Sequence, residues 1–129
     1  MTTISSEGQR LRVLVVDDEP MIAKSIGRVL HGVTVQSAES GKQALEILAL
    51  EAPFDLLLCD LMMPDMNGME FYMALNKRWP EVTARVVFMS GGSYVRELDD
   101  FLGNVPNRHL KKPFSSDELR LLVAEMSGG

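Results

Sequence analysis

Residues 54–68 constrain the possible fold more than any other part of the chain. This stretch starts as an apolar run, reaches a carboxylate at Asp60, and then breaks into a loop rich in methionine, proline, asparagine and glycine. A short apolar run bounded by turn-forming residues is typical of a β-strand buried on both faces. Asp60 is therefore expected where a buried strand leaves the core. Whether it is a loop acid or a functional group depends on the rest of the chain.

Apolar segments of this kind alternate with helical patterns along the whole sequence. Strands are predicted at residues 11–16, 33–35, 54–60, 84–89 and 109–110. Helices are predicted from Pro20 to about His31, from Ser40 through Leu48, from Gly68 to about Trp79, from Tyr94 to about Leu102, and from Ser115 through Met126. Strands that alternate with helices through short loops indicate an α/β fold, a (βα)5 sandwich of three layers in which helices cover both faces of a parallel sheet.

Capping signals and apolar spacing support the predicted helices. Ser40 with Gln43, and Ser115 with Glu118, have the spacing of a capping box. Apolar residues at helical spacing then predict the inward faces. These are Ile22, Ile26, Val29 and Leu30; Ala44, Leu45 and Leu48; Phe71, Tyr72 and Leu75; Val95, Leu98 and Leu102; and Leu119, Leu122, Val123 and Met126.

Composition narrows the class of protein. A chain of 129 residues with 46% hydrophobic and 24% charged residues is typical of one globular domain. We predict a polar tail at 1–10, the domain at 11–127 and terminal residues at 128–129. A net charge of −5 without a basic run argues against direct nucleic-acid binding. One cysteine permits no internal disulfide, and no apolar run approaches membrane-spanning length, so a cytoplasmic protein without membrane contact is expected.

Chemically active side chains follow four of the predicted strands. Asp17 and Asp18 follow the first strand, Asp60 ends the third, Ser90 follows the fourth, and Lys112 follows the fifth. In open α/β sheets, ligands bind outside the carboxyl ends of the strands. The sequence therefore predicts three carboxylates, a hydroxyl group and an ammonium group at one edge of the sheet.

This set of side chains favours phosphoryl chemistry. Carboxylates crowded together repel one another unless a cation joins them. Because the donors are oxygens, with no histidine or second cysteine beside them, Mg²⁺ is the expected cation. A metal-bound carboxylate cluster with a lysine and a hydroxyl group is suited to Mg²⁺-dependent phosphoryl transfer onto an aspartate. Asp17 and Asp18 taken alone would equally suit the capping of the first helix.

Four motifs resemble a known family. They are VVDDEP at 15–20, DLMMPDMNG at 60–68, FMSG at 88–91 and KPF at 112–114. Over residues 11–126 the chain resembles the receiver (response regulator, CheY-like) domain of two-component signalling. The resemblance implies a flavodoxin-like fold with strand order 2-1-3-4-5. The segments around Ser90 and Asn104 further resemble receivers that are appended to hybrid histidine kinases.

The resemblance also implies roles for the acidic residues. Asp60 would accept a phosphoryl group from a histidine kinase or a histidine phosphotransfer protein. Asp18, Asp60 and the backbone carbonyl of Met62 would bind Mg²⁺, and Asp17 would act largely through water. Met62 departs from the polar residue that other members carry there, and an apolar side chain cannot orient an attacking water. We therefore predict a long-lived phosphoryl-aspartate.

The same resemblance implies a phosphoryl-binding group and a switch. Ser90 would hydrogen-bond the phosphoryl group, Lys112 would pair with one of its oxygens, and Lys111 would stay solvated. Gly91 and Gly92 would leave a loop without side chains over the site. His109 stands where the family usually has a tyrosine or phenylalanine as the switch residue.

The implied output is a change in binding. A downstream protein would be bound by the face of helix four, strand five and helix five, around Tyr94, Val95, Leu98 and His109. A phosphorylation-dependent homodimer on the same face is left open.

Two other functions remain as alternatives. A Mg²⁺-dependent aspartyl-phosphate phosphatase resembling the haloacid dehalogenases would need a second aspartate where Met62 stands. A receiver that is not phosphorylated and only binds proteins would have lost an acid, the acceptor or the lysine, and none is missing. Asp65 is expected to belong to the turn, and Cys59 to be a buried, inert thiol.

Overall fold

The computed structural model describes residues 11–51, 53–91 and 95–127, so the predicted tail at 1–10 lies outside the described residues. The strands are β1 (Leu11–Val16), β2 (Val33–Ala38), β3 (Leu56–Asp60), β4 (Val86–Ser90) and β5 (His109–Lys111). The helices are α1 (Pro20–Val29), α2 (Gly41–Leu50), α3 (Gly68–Arg78), α4 (Arg96–Asn104) and α5 (Ser116–Ser127). A 3-10 helix spans Pro80–Arg85.

All neighbouring strands are parallel, and the sheet order is β2-β1-β3-β4-β5. The fold class and the strand order expected from the sequence are confirmed. In this order the chain reverses direction across the sheet between β1 and β3, where the carboxyl ends of the strands form a crevice.

Strand β3 is the middle strand of the sheet, and all five of its residues are buried. Successive side chains of a strand point to opposite faces, so the strand supplies two cores. Leu57 and Cys59 join the core under α2, α3 and α4, whereas Leu56 and Leu58 join the core under α1 and α5. By the same alternation, the side chain of Asp60 leaves β3 on the face opposite to that of Cys59.

Both predicted capping pairs are present. At α2, Ser40 Oγ accepts a hydrogen bond from the backbone N–H of Gln43, and Gln43 Oε1 accepts one from the N–H of Glu39. At α5, Ser115 Oγ accepts from the N–H of Glu118, and Glu118 Oε1 accepts from the N–H of Ser115. The bonds to Ser40 and Ser115 satisfy N–H groups that the first turn of each helix leaves without partners, and the returning bonds fix the residues just before the helices.

The beginning of β4 differs from the prediction, because residues 80–85 form a 3-10 helix. Thr83 Oγ1 donates a hydrogen bond to the carbonyl of Pro80. Asn107 Nδ2 donates to the carbonyls of Thr83 and Val86, at 2.7 and 2.8 Å. Because side-chain donors bind the carbonyls of this segment, it does not extend the strand. Strand β4 starts at Val86 instead of Ala84, and it ends at Ser90.

Helix α4 also differs from its predicted bounds. Val95 precedes the helix in an extended conformation and is 59% exposed, so it does not belong to the buried face. Tyr94 lies outside the described residues. The helix continues past Leu102 to Asn104, whose side-chain Nδ2 donates to the carbonyl of Asp100 at 2.8 Å.

Strand β2 is twice as long as predicted, and it forms one edge of the sheet. It pairs with β1 along its whole length, as far as Val16 with Ala38. Polar residues such as Gln36 and Ser37 interrupt the apolar run, so the apolar criterion ended the strand early. Within the described residues, no helix has the length and apolar character needed to cross a membrane.

Candidate functional site

Four strand ends bring the predicted side chains to one edge of the sheet. Asp17 directly follows β1, Asp60 and Ser90 are the last residues of β3 and β4, and Lys112 directly follows β5. These strands are neighbours in the sheet. Asp17, Asp18 and Asp60 each offer a carboxylate oxygen, and the three oxygens lie within 4.8 Å of one another.

The Asp17 carboxylate is buried and has two hydrogen-bond donors. Its Oδ1 accepts a bond from the backbone N–H of Glu19 at 2.9 Å, and its Oδ2 accepts one from Lys112 Nζ at 2.8 Å. Together the two donors fix the orientation of this carboxylate. The Glu19 contact is an Asx-turn, which an aspartate at the end of a strand commonly forms with the backbone two residues on.

The ammonium group of Lys112 lies between two acids. Its Nζ is 2.8 Å from Asp17 Oδ2 and 3.5 Å from Asp60 Oδ2. Partial burial acts to lower the pKa of Lys112, but the Asp17 hydrogen bond and the attraction of the nearby carboxylates outweigh it, so the pKa is raised. Lys112 therefore stays charged at neutral pH and supplies a positive charge beside Asp60.

Asp60 has the most perturbed carboxylate of the cluster. Burial is the main cause that raises its pKa from 3.8 to about 6, and the charge of Asp17 adds to the rise. Lys112 and the backbone N–H of Met62 oppose it, although that N–H lies at a long 3.4 Å from Asp60 Oδ1. Burial thus outweighs the donors that stabilise the charged form of Asp60.

The residues fit a divalent cation. Asp17 and Asp60 are buried, Asp18 is exposed, and all three offer hard oxygen donors. One lysine opposes three carboxylates in this cluster, and burial disfavours the charge of the Asp60 carboxylate. A hard cation with oxygen ligands, such as Mg²⁺, matches this donor set.

The segment after Asp60 packs closely against the end of β3. The Gly68 N–H donates to the carbonyl of Leu61 at 2.9 Å. A Cβ atom on Gly68 would lie 3.0 Å from both the carbonyl oxygen of Asp60 and Cα of Leu61. Asp65 has a φ of 69° in this segment, which is a turn conformation that aspartate tolerates. Asp65 thus belongs to the turn, as expected.

A capping box at α3 was not predicted. Asn67 Oδ1 accepts from the N–H of Glu70 at 2.8 Å, and Glu70 Oε1 accepts from the N–H of Asn67 at 2.9 Å. The spacing of Asn67 and Glu70 equals that of the two pairs that were predicted, so the sequence contained the signal. The box fixes where the segment after Asp60 ends.

Comparison with known proteins identifies the domain. The profile of the family described as "Response regulator receiver domain" matches residues 13–124. The chain belongs to this family. As receiver domains generally do, it carries an acidic pocket suited to Mg²⁺.

Similar proteins include both regulators and kinases. The receiver is 31% identical over 125 residues to the transcriptional regulatory protein TrcR of Mycobacterium tuberculosis. This match covers 95% of this chain and 46% of TrcR. It is 30% identical over 121 residues to the signal transduction histidine-protein kinase BarA of Escherichia coli K12, covering 92% of this chain and 13% of BarA. The chain therefore spans less than half the length of these curated relatives.

The fold has close counterparts among solved structures. The chemotaxis protein CheY4 of Vibrio cholerae superimposes with a TM-score of 0.76 at 24% sequence identity. The match covers 91% of this chain and 98% of CheY4. This likeness confirms the CheY-like arrangement of strands and helices.

The remaining predicted site residues differ in their burial and in their distance from the acidic cluster. Ser90 is buried at the end of β4, beside the strand that carries Asp60, and Gly91 is exposed. His109 is exposed at the start of β5, in register with Phe88 and outside the acidic cluster. It lines a groove between β5 and α5. Gly92, predicted to form part of the loop over the site, lies outside the described residues.

The thiol of Cys59 is buried, as predicted. Burial is the main cause that raises the pKa of Cys59, and the charge of Asp60 adds to it. Its Sγ donates a weak hydrogen bond to the carbonyl of Asp60 at 3.4 Å. A buried thiol that resists ionisation has little reactivity.

The raised pKa of Asp60 predicts how stability depends on pH without metal. Its folded pKa of about 6 lies above the ordinary value of 3.8, so between these values the folded state holds a proton that the unfolded state has released. The ionised Asp60 carboxylate therefore destabilises the folded state. This effect reaches its full size above about pH 6 and disappears as the pH falls toward about 4. We expect Asp60→Asn to unfold at higher urea concentration than the wild type at neutral pH in EDTA.

The advantage of Asp60→Asn should shrink as the pH is lowered through about 6. Urea unfolding of both proteins over this pH range, with Asp65→Asn as the exposed control, measures the difference. A difference that does not change with pH would contradict the assigned pKa.

Proposed function

We propose that this receiver accepts a phosphoryl group on Asp60 from a phosphohistidine donor, with Mg²⁺ bound, and thereby switches a binding surface. The donor would belong to a histidine kinase or a histidine phosphotransfer protein. The observation that most directly supports the proposal is the position of the Asp60 carboxylate. It lies within 4.8 Å of two further carboxylates and 3.5 Å from Lys112 Nζ, at the end of a rigid central strand.

The transfer needs few groups from the protein. One Oδ atom of Asp60 attacks phosphorus and forms the P–O bond. The P–N bond of the phosphohistidine breaks, and the imidazole nitrogen leaves with the electron pair of that bond. Since the pKa of Asp60 is about 6, the nucleophilic carboxylate form predominates at neutral pH.

The remaining residues of the site would stabilise charge. Asp17, Asp18, Asp60 and the backbone carbonyl of Met62 would hold Mg²⁺, and Mg²⁺ would neutralise charge on the transferring oxygens. Lys112 already holds its ammonium group beside Asp60, at a distance from which it would pair with a phosphoryl oxygen.

Two groups would determine how long the phosphoryl group stays on Asp60 after the transfer. The hydroxyl of Ser90, at the end of the neighbouring strand, would hydrogen-bond the phosphoryl group, with Gly91 leaving space beside it. Met62 is 47% exposed beside the acceptor and has no polar group that would orient a water molecule. The phosphoryl-aspartate should therefore hydrolyse slowly.

The output surface would be the face formed by α4, β5 and α5. Phe88 connects this face with the site, since it lies two residues before Ser90 and pairs in register with His109. Its ring also contacts that of Phe101 on α4, with centroids 5.3 Å apart and planes at 81°. A shift of the end of β4 would thus be transmitted to both α4 and β5.

A downstream protein or a second copy of the receiver would bind this face. Its groove between β5 and α5 exposes the imidazole of His109 and the side chain of Leu121, which is 61% exposed. The receiver is similar to parts of both a transcriptional regulator and a histidine kinase. For the whole protein we propose a cytoplasmic location, a histidine kinase or phosphotransfer protein as the donor, and a downstream protein as the partner of this face.

Phosphorylation with a small donor tests the proposal. With acetyl phosphate and Mg²⁺, the wild type should gain the mass of one phosphoryl group, and EDTA should prevent the gain. Asp60→Asn should gain nothing, whereas the control Asp65→Asn, an exposed acid of the adjoining turn, should behave as the wild type. An adduct that persists in Asp60→Asn, or no adduct in the wild type, would refute the proposal.

The same experiment separates the alternatives. A receiver forms one adduct per chain and releases phosphate slowly, whereas an aspartyl-phosphate phosphatase releases many phosphates per chain in the same time. A protein-binding domain that is not phosphorylated forms no adduct. Following both the mass and the released phosphate therefore distinguishes the three functions.

A further inference from the structure

The loop of residues 61–67, here called the β3–α3 loop, sets the position of the Met62 backbone beside the acceptor. Its first residue is bonded to β4, since the Leu61 N–H donates to the carbonyl of Met89 at 3.0 Å, and its other backbone bonds are local. The Gly68 N–H donates to the carbonyl of Leu61 at 2.9 Å, and the Met66 N–H donates to that of Pro64 at 2.7 Å. These bonds tie the two ends of the loop to β4 and α3, but none of them reaches α2, so contact between the loop and α2 depends on side-chain packing.

Met66 provides such packing, because its side chain lies over Gly41 at the start of α2. A Cβ atom on Gly41 would lie 2.6 Å from Sδ, 3.1 Å from Cγ and 3.4 Å from Cβ of Met66. Distances below 3.0 Å are essentially never seen for real Cβ atoms. Gly41 is buried, and the half-buried Met66 packs against the core that α2 and α3 share. The contact therefore joins the loop to a helix outside it.

Local structure does not explain a glycine at this position. Among the described glycines, only Gly32 has a positive φ, so the backbone of Gly41 is open to any residue. The start of α2 is already capped by Ser40. Glycine is also a poor helix former, which makes its presence at the first position of α2 unfavourable on propensity alone. The space that Gly41 leaves for the Met66 side chain is the remaining physical reason for a glycine at this position.

We infer that Gly41 is a positioning residue of the phosphorylation site, which acts by letting Met66 seat the β3–α3 loop. The inference rests on the proposed function, in which the Met62 carbonyl binds Mg²⁺. A side chain at position 41 would force the Met66 side chain away from α2 and so remove the packing by which Met66 holds the loop against that helix. The N–H of Met62 already lies 3.4 Å from Asp60, so a small shift would remove this contact.

The variant Gly41→Ala tests the inference through two readouts. By titration calorimetry, it should bind Mg²⁺ about tenfold more weakly than the wild type, which is the effect expected when a group that holds metal ligands in place is lost. In EDTA, the amide hydrogens of residues 61–67 should exchange several-fold faster in Gly41→Ala, as measured by mass spectrometry of peptides. The matched control is Gly27→Ala in α1, where a Cβ atom would meet nothing within 4 Å.

A double-mutant cycle isolates the contact. Met66→Ala should itself weaken Mg²⁺ binding, since the loop loses its packing against α2. In that background Gly41→Ala should change the affinity by less than about twofold, because the obstructing side chain is gone. A merely structural role of Gly41 would instead give the same loss in both backgrounds.

Two results would overturn the inference. One is wild-type Mg²⁺ affinity and wild-type loop exchange in Gly41→Ala, and the other is additive effects of Gly41→Ala and Met66→Ala. If the wild type bound no Mg²⁺ and accepted no phosphoryl group, the proposed function would fail. The exchange measurement in EDTA would still decide whether Gly41 and Met66 together seat the loop.

Discussion

Replacing Lys112 by methionine is expected to lower the free energy of unfolding of the metal-free receiver by about 2–3 kcal/mol. The variant would leave the buried Asp17 and Asp60 carboxylates without the ammonium group that lies 2.8 and 3.5 Å from them. Removing one partner of a fully buried ion pair costs roughly 3–5 kcal/mol, and Lys112 is partly exposed, which reduces the loss. The pKa of Asp60 should rise further, because Lys112 acts to lower it.

The effect of Lys112→Met should depend on the metal. A bound cation replaces part of the missing positive charge, so the destabilisation should be smaller in saturating Mg²⁺ than in EDTA. Urea unfolding under both conditions measures it, with Lys111→Met as the control, since Lys111 is an exposed neighbour of the same type. Equal destabilisation with and without Mg²⁺, or an equal loss in both lysine variants, would show that Lys112 does not balance the charge of the site.

Replacing Gly68 by alanine is expected to destabilise the receiver by about 2 kcal/mol and to slow phosphorylation. A Cβ atom there would lie 3.0 Å from the carbonyl oxygen of Asp60 and from Cα of Leu61. Both are backbone atoms and cannot turn away as the end of a side chain can, so either α3 or the end of β3 must move. Overpacking of this kind costs roughly 1–3 kcal/mol, more than the gain of up to about 1 kcal/mol in helix propensity.

The control for Gly68→Ala is Gly103→Ala in α4. A Cβ atom on Gly103 meets nothing within 4 Å, so this variant should be more stable than the wild type by up to about 1 kcal/mol. Chemical denaturation of both variants, together with the rate of acetyl phosphate labelling, separates the two effects. If Gly68→Ala were as stable and as rapidly labelled as Gly103→Ala, the close approach of α3 to the acceptor strand would be unimportant.

The sequence predicted those parts of the site that depend on strand ends. Parallel strands deliver their carboxyl ends to one edge, so the residues that follow them meet wherever the strand order makes the strands neighbours. Asp17, Asp60, Ser90 and Lys112 could be assigned to one edge in this way. The strand order itself came from the resemblance to receivers, since periodicity alone does not order five strands.

Contacts between distant segments could not be predicted in this way. The packing of Met66 against Gly41 joins residues that are 25 positions apart, and it depends on the path of the loop after β3. Asn107 likewise stabilises the 3-10 helix before β4 from across the chain, through bonds to Thr83 and Val86. Local spacing contains no signal for such contacts, whereas the capping pair Asn67 and Glu70 was visible in the spacing and was missed.

A backbone hydrogen bond between the ends of β4 and β5 should affect how a phosphoryl group is bound. The N–H of Lys112 donates to the carbonyl of Ser90 at 2.7 Å, so one short bond joins the two residues that would bind the phosphoryl group. A shift of the Ser90 backbone toward a bound phosphoryl group would therefore also move the backbone of Lys112. The contributions of Ser90 and Lys112 to phosphoryl binding should therefore be cooperative. Removing either side chain should cost most of the binding free energy that the two provide together.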